Sequence, residues 1–191
     1  MTWNNDQVSR AETYKIIEIA RGCLKVPGDF VELGCYKGDT SLLLAEVLKG
    51  GDKRLWIYDS LEGLPDKTDA DESAVGESFK GGELFVTKRE VKERFLRANL
   101  PVPAIKKAWF NELTDNDLPE RIAFAFLDGD FYESIRDSLK LVASKMAPGG
   151  VIIVHDYSNP ALPGVAKAVD EWTKGKNLEI MRYESVVVIK V

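Results

Sequence analysis

Ile122-Ala123-Phe124-Ala125-Phe126-Leu127 is an unbroken apolar run of strand length, and it ends in Asp128-Gly129-Asp130. A half-buried strand alternates apolar and polar residues. One that is apolar throughout must be covered on both faces, as in a parallel sheet between two layers of helix. The chain repeats this unit downstream. Helical spacing over residues 133–146 is stopped by Pro148-Gly149-Gly150, and Val151-Ile152-Ile153-Val154 is a second buried strand, ending in His155-Asp156. Upstream, Phe30-Val31-Glu32-Leu33-Gly34 reads as a strand ending in a glycine-containing loop. A helix follows over 40–48, closed by Gly50-Gly51, and Arg54-Leu55-Trp56-Ile57-Tyr58-Asp59 is a further strand that ends on a carboxylate.

The flanking segments complete the alternation. Residues 8–24 have helical spacing, with Ser9 and Glu12 three apart as a capping box at the start. Helices are predicted over 88–98 and 163–172, and a short Pro-flanked strand over 104–108. The last strands, 178–183 and 186–191, are joined only by Glu184-Ser185, too short for a crossover, so they form an antiparallel hairpin. Residues 60–86 are rich in Gly, Asp, Glu, Ser and Lys with few apolar anchors, and they read as a mobile loop or lid. The expectation is one α/β domain over 1–191. It is Rossmann-like and doubly wound, with a mostly parallel seven-stranded sheet, helices on both faces and the antiparallel hairpin at one edge.

Composition narrows the function. The 191 residues are 45% apolar and 30% charged, ordinary for one globular domain. No apolar stretch approaches the roughly 20 residues that cross a bilayer. The N-terminus lacks the basic start and apolar core of a leader, so a cytoplasmic protein with no membrane partner is expected. Net charge is −5, and Lys88, Arg89, Lys92, Arg94 and Arg97 are interleaved with Glu90 and Glu93. That pattern is a solvated helix face, and nucleic acid is not expected as a partner. A small-molecule acceptor is expected, and a homodimer is left open. Cys23 and Cys35 form neither a CxxC pair nor a zinc cage, and read as small buried residues.

The polar residues cluster by position. Glu32, Asp59, Asp128, Asp130, His155 and Asp156 all fall at or just beyond strand C-terminal ends, the edge at which open α/β sheets bind ligands. In Glu32-Leu33-Gly34-Cys35-Tyr36-Lys37-Gly38 the glycines are four apart, which is neither a dinucleotide fingerprint nor a nucleotide-triphosphate loop. Gly34 and Gly38 let backbone approach a ligand, and Glu32 supplies negative charge, so a compact cation suits the loop. Asp59 is placed to accept hydrogen bonds from ribose hydroxyls, which points to a nucleoside-bearing cofactor. Asp128, Asp156 and His155 could hold a divalent ion that acidifies a substrate hydroxyl, with Asp130 or His155 as general base.

On these residues the chain resembles the macrocin-type O-methyltransferases, a family with relatives that methylate sugars and aminocoumarin antibiotics. The matching segments run in order. They are Val26-Pro27-Gly28-Asp29-Phe30-Val31-Glu32-Leu33-Gly34, Tyr58-Asp59-Ser60-Leu61-Glu62-Gly63-Leu64-Pro65, Ala108-Trp109-Phe110 with Leu118-Pro119 downstream, Leu127-Asp128-Gly129-Asp130-Phe131-Tyr132-Glu133-Ser134 and Pro148 through Tyr157. The resemblance implies S-adenosylmethionine as cofactor, bound by Glu32, Gly34, Tyr36, Gly38, Thr40, Ser41, Asp59, Ser60, Trp109, Phe110 and Asp128. It implies Mg²⁺ or another divalent cation on Asp128 and Asp156, Asp130 as general base, and a hydroxyl acceptor on a sugar or other small polar molecule; the residues themselves add His155 as a third ligand or as the alternative catalytic base.

Two departures bear on this. Where the family usually has Asp-Asp-Tyr, this chain has His155-Asp156-Tyr157, which admits Mn²⁺, Fe²⁺ or Zn²⁺, or a metal-free site with His155 as base. The chain is also shorter than the antibiotic-tailoring members and is expected to lack much of their N-terminal lid. The alternatives are a metal-dependent hydrolase or oxygenase on the same fold, or a non-catalytic cofactor-binding module.

Overall fold

The computed structural model describes residues 7–75 and 79–191. The first six residues, on which the leader reading rests, and residues 76–78 of the 60–86 segment lie outside the described residues. The elements in chain order are α1 (Arg10–Gly22), β1 (Asp29–Leu33), α2 (Asp39–Leu48), β2 (Leu55–Asp59), α3 (Lys88–Arg97), β3 (Ala104–Lys107), β4 (Ile122–Leu127), α4 (Tyr132–Ala143), β5 (Met146–Val154), α5 (Pro163–Thr173), β6 (Glu179–Tyr183) and β7 (Val186–Lys190). The strands form one seven-stranded sheet in the order β3-β2-β1-β4-β5-β7-β6. All pairs from β3 across to β5 are parallel, while β7 runs antiparallel to β6, as the short Glu184-Ser185 link requires, and also to β5.

Local signals account for the element starts. Ser9 Oγ accepts the Glu12 amide while the Glu12 carboxylate accepts the Ser9 amide, and Thr87 and Glu90 do the same for α3. The period-two alternation of each strand divides the core into two layers. Phe30, Ile57, Phe124, Phe126 and Ile153 pack with Ile16 of α1, Leu44 of α2 and Phe95 of α3. On the other face Val31, Leu33, Ala125, Leu127 and Ile152 pack with Ile135 and Leu139 of α4 and Val165 and Val169 of α5. Every residue of β4 is buried because it lies between β1 and β5 and under both layers. Among the described residues, no helix is long and apolar enough to cross a membrane.

Two expectations change. Pro148-Gly149-Gly150, read as the stop of a helix reaching Met146, lies inside β5. The helix ends at Ala143, Met146 already pairs with Ile122, and the register shifts before Phe124 meets Val151. Pro148 and Gly149 are exposed at this irregularity, where proline costs the ladder little.

The described part of 60–86 is anchored rather than free. Leu61, Leu64, Asp71 and Val86 are buried. Asp71 Oδ1 accepts the Tyr132 amide at the start of α4 at 2.7 Å, and its Oδ2 accepts the Thr68 amide and hydroxyl at 3.0 and 2.8 Å. A carboxylate at a helix N-terminus satisfies an otherwise unpaired donor and meets the positive end of the dipole. Asp71→Ala is therefore expected to lower unfolding free energy by about 2 kcal/mol in urea titration. A change under about 0.5 kcal/mol, the size of an ordinary surface substitution, would mean the segment is not held through Asp71.

Candidate active site

Strand order reverses between β1 and β4: the chain builds outward through β2 and β3, then returns to the other side of β1. A crevice opens at such a point beyond the strand ends. Here it is a cleft of about 380 Å³, within the size range of small-ligand sites. Left-handed backbone at non-glycine residues marks the loops around it: Tyr36, Leu61, Asp130 and Asp156 have φ of 44°, 53°, 60° and 60°. Such conformations persist only where surroundings impose them, and they gather at ligand sites.

The β1 side of the cleft is tied together by one carboxylate. Asp59 Oδ2 accepts the amides of Cys35 and Tyr36 at 2.8 and 3.2 Å, and its Oδ1 accepts the Leu61 amide at 2.7 Å. Both lone pairs of Oδ2 are spent on amides, and Oδ1 keeps accepting capacity for a ligand hydroxyl. Glu32 is buried beneath the loop and accepts a hydrogen bond from Ser41 Oγ. Burial first, offset in part by Ser41 and reinforced by Asp128 and Asp59, pushes the Glu32 carboxyl up to about 8. A cation arriving in the cleft would favour its ionised form. Cys35 also lines the cleft, and burial holds its thiol well above the ordinary range, so it is a packing residue there.

The β4 and β5 ends supply the other wall. His155 is 3% exposed. Its Nδ1 lies 3.0 Å from Asp128 Oδ1 and 2.9 Å from Asp156 Oδ2, and its Nε2 lies 3.7 Å from Oε2 of Glu12 on α1. Burial opposes charge on the imidazole, but the surrounding carboxylates outweigh it and raise its pKa well above the usual value. Glu12 is itself buried and held by the Ser9 and Ser185 amides, both at 3.0 Å. Burial opposes its ionisation too, yet His155, Ser185 and Ser9 together keep its carboxyl well below the usual carboxylate range. Asp156 Oδ1 accepts a hydrogen bond from Asn159 Nδ2 at 2.9 Å. For Asp130, burial and then the negative charges of Asp128 and Asp156 push the carboxyl well above its ordinary range.

Of the residues expected to form the site, Glu32, Gly34, Tyr36, Thr40, Asp59, Ser60, Trp109, Phe110, Asp128, Asp130, His155 and Asp156 line this one cleft. Gly38 and Ser41 lie behind its lining: Gly38 starts α2 in the left-handed conformation, and the Ser41 hydroxyl is spent on Glu32. The Ser60 hydroxyl donates to Gly63 O at 3.0 Å, closing its own turn.

The whole frame matches one family model, Macrocin-O-methyltransferase (TylF), over residues 15–184. The chain belongs to this family. Among curated relatives, it is 35% identical over 142 residues to an 8-demethyl-8-(2,3-dimethoxy-alpha-L-rhamnosyl)-tetracenomycin-C 4'-O-methyltransferase of Streptomyces olivaceus, covering 70% of this chain and 54% of that one. It is 30% identical over 172 residues to a demethyldecarbamoylnovobiocin O-methyltransferase of Streptomyces niveus, covering 83% and 65%. The chain thus spans between about half and two thirds of the length of these relatives. Among solved structures, the O-methyltransferase NovP superposes with a TM-score of 0.78 at 28% identity, covering 91% of this chain and 78% of that one.

For a member of this family the magnesium expectation can be tested on the donor set. The ligand atoms of Asp128, His155 and Asp156 lie within 4.8 Å of one another, compact enough for an ion. The chemistry does not fit Mg²⁺. It asks for oxygen ligands in near-octahedral order, and here one of three donors is an imidazole nitrogen. That nitrogen is also at hydrogen-bond distance from both carboxylates, so it offers them a proton rather than offering an ion a lone pair.

Glu12 and Asn159 escape the sequence reading, and Ser134 enters it only as the end of a matching segment, with no role. Ser134 and Asn159 line the cleft, and Glu12 backs His155. Glu12 was legible only as a capping residue, because nothing local records that the start of α1 meets His155 and Ser185.

Proposed function

We propose that this chain is an S-adenosylmethionine-dependent O-methyltransferase acting on a hydroxyl of a sugar or similar small polar molecule. The observation that carries the reading is the acidic lining of the cleft: Glu32, Asp39, Asp59, Asp128, Asp130 and Asp156 all reach it, and the raised carboxyls of Glu32 and Asp130 gain charge when a cation arrives. A ligand bearing a sulfonium and an ammonium group is favoured there, whereas a phosphate backbone is repelled. Family membership supports the same cofactor, and the rhamnosyl group named in the tetracenomycin relative supports a sugar acceptor.

In this reading Asp59 takes a ribose hydroxyl through Oδ1, Trp109 and Phe110 flank the adenine side, and Glu32 faces the cationic end. The acceptor oxygen attacks the methyl carbon in line with the sulfur. The C–O bond forms, the C–S bond breaks, and S-adenosylhomocysteine leaves uncharged at sulfur. The hydroxyl proton goes to Asp130. Between the two bases left open by the sequence, Asp130 is preferred because both ring nitrogens of His155 already face carboxylates. Alignment of oxygen, carbon and sulfur is the larger part of the rate, since methyl transfer needs little covalent help from the protein. No step is assigned to a metal ion.

Isothermal titration with S-adenosylhomocysteine tests the cofactor assignment. Micromolar binding is expected, and Asp59→Ala is expected to weaken it by on the order of tenfold or more through loss of the ribose acceptor and the loop amides. No binding by the unsubstituted protein would end the methyltransferase reading.

A further inference from the structure

We infer that this chain works without a divalent ion, because the imidazole of His155 takes the place between Asp128 and Asp156 that an ion would need. The inference rests on the methyltransferase reading only for what the cluster serves. The geometry stands by itself.

A hard cation bridging two carboxylates sits about 2.1 Å from each oxygen. Here the position between Asp128 Oδ1 and Asp156 Oδ2 is filled by Nδ1 of His155, at 3.0 and 2.9 Å. These are N–H···O distances, so the carboxylates are joined through a shared proton donor. For Nδ1 to ligate a metal it would have to give up that proton and leave both oxygens without it. The other nitrogen offers no alternative. Nε2 is buried with no hydrogen-bond partner among the described residues and faces Glu12 Oε2 at 3.7 Å, on the side away from the two aspartates.

The ring is also held from behind. Glu12 is fixed by the Ser9 and Ser185 amides, and Phe126 lies against the ring with centroids 6.3 Å apart. Swinging the imidazole to admit an ion would break this clamp. With two like charges bridged by N–H, Asp128 and Asp156 are neutralised in part and kept in register at the mouth of the cleft. That is the service a cation would give, supplied by a side chain.

His155 is the single histidine of the chain, so its imidazole gives an unambiguous ¹⁵N signal. EDTA-treated protein would be titrated with Mg²⁺ and with Mn²⁺ by calorimetry, with imidazole ¹⁵N–¹H spectra recorded alongside for Mg²⁺. The expected result is no saturable binding of either ion at submillimolar concentration and an Nδ1 proton signal that Mg²⁺ does not move. His155→Asp, which makes three adjacent carboxylates, is expected to gain at least about tenfold in Mg²⁺ affinity.

Micromolar binding of either ion by the unsubstituted protein, or loss of the Nδ1 proton on adding Mg²⁺, overturns the inference. So does a folded His155→Asp variant that gains no ion site. If that variant fails to fold, the calorimetry and spectra of the unsubstituted protein decide alone. S-adenosylhomocysteine binding, measured in the same samples, separates the two readings: its absence ends the methyltransferase assignment and leaves the ion result standing.

Discussion

An Asp130→Asn variant is expected to lose roughly a thousandfold in turnover, the size of effect associated with removing a general base. Its affinity for S-adenosylhomocysteine should stay near that of the unsubstituted protein. The two halves of this expectation separate base from binding group. Asparagine keeps the shape of the side chain and cannot take a proton, so a loss confined to turnover is the signature of proton transfer. Burial and the charges of Asp128 and Asp156 already disfavour an ionised Asp130. Replacing it with a neutral isostere therefore removes a repulsion, and the variant should unfold at the same denaturant concentration or a higher one. Near-full turnover in a folded variant would remove Asp130 from the mechanism. A parallel fall in analogue affinity would recast it as a binding residue.

The largest structural effect is expected at Gly34. The residue has φ +89°, and a Cβ built there would lie 1.9 Å from the backbone oxygen of Asp128. The loop after β1 and the loop after β4 touch through backbone at this point, with Gly34 N bonded to Tyr58 O and Asp128 N to Leu33 O at 2.9 Å each. Relief would require parting two central strands. Gly34→Ala should cost about 4 kcal/mol or more, enough to leave a marginal domain largely unfolded. Gly50 is the control: its φ is +81°, but an added Cβ there meets none of the described residues within 4 Å. Gly50→Ala should cost only the conformational penalty, about 1 kcal/mol. Equal costs at the two positions in urea titration would mean that φ alone matters and that the close approach of the loops is not tight.

Much of the fold was legible because its signals are local. The all-apolar run Ile122–Leu127 implied two covered faces, and the structure buries all six residues. Ser9 with Glu12 implied a helix start, and the reciprocal bonds are there. The misread elements depended on contacts from elsewhere. Pro148-Gly149-Gly150 has the composition of a helix stop, yet pairing of Met146 with Ile122 draws it into β5. Residues 60–86 have the composition of a mobile loop, and what composition does not record is that Asp71 within it caps the N-terminus of α4 through a bond across 61 positions.

The site divides in the same way. Glu32, Asp59, Asp128, Asp130, His155 and Asp156 could be picked out together because strand ends are readable from apolar runs, and a parallel sheet brings its strand ends to one edge. The sequence by itself thus determined the α/β class, the positions of the strands and which side chains reach that edge, since each follows from short-range periodicity and composition. Only the tertiary structure decided that β1 and β4 are neighbours at the point where the order reverses. It alone set Nδ1 of His155 between two aspartates with Glu12 of α1 behind the ring. Those facts arise from strand order and helix packing, where burial and hydrogen bonds join residues far apart in the chain, and no local pattern records them.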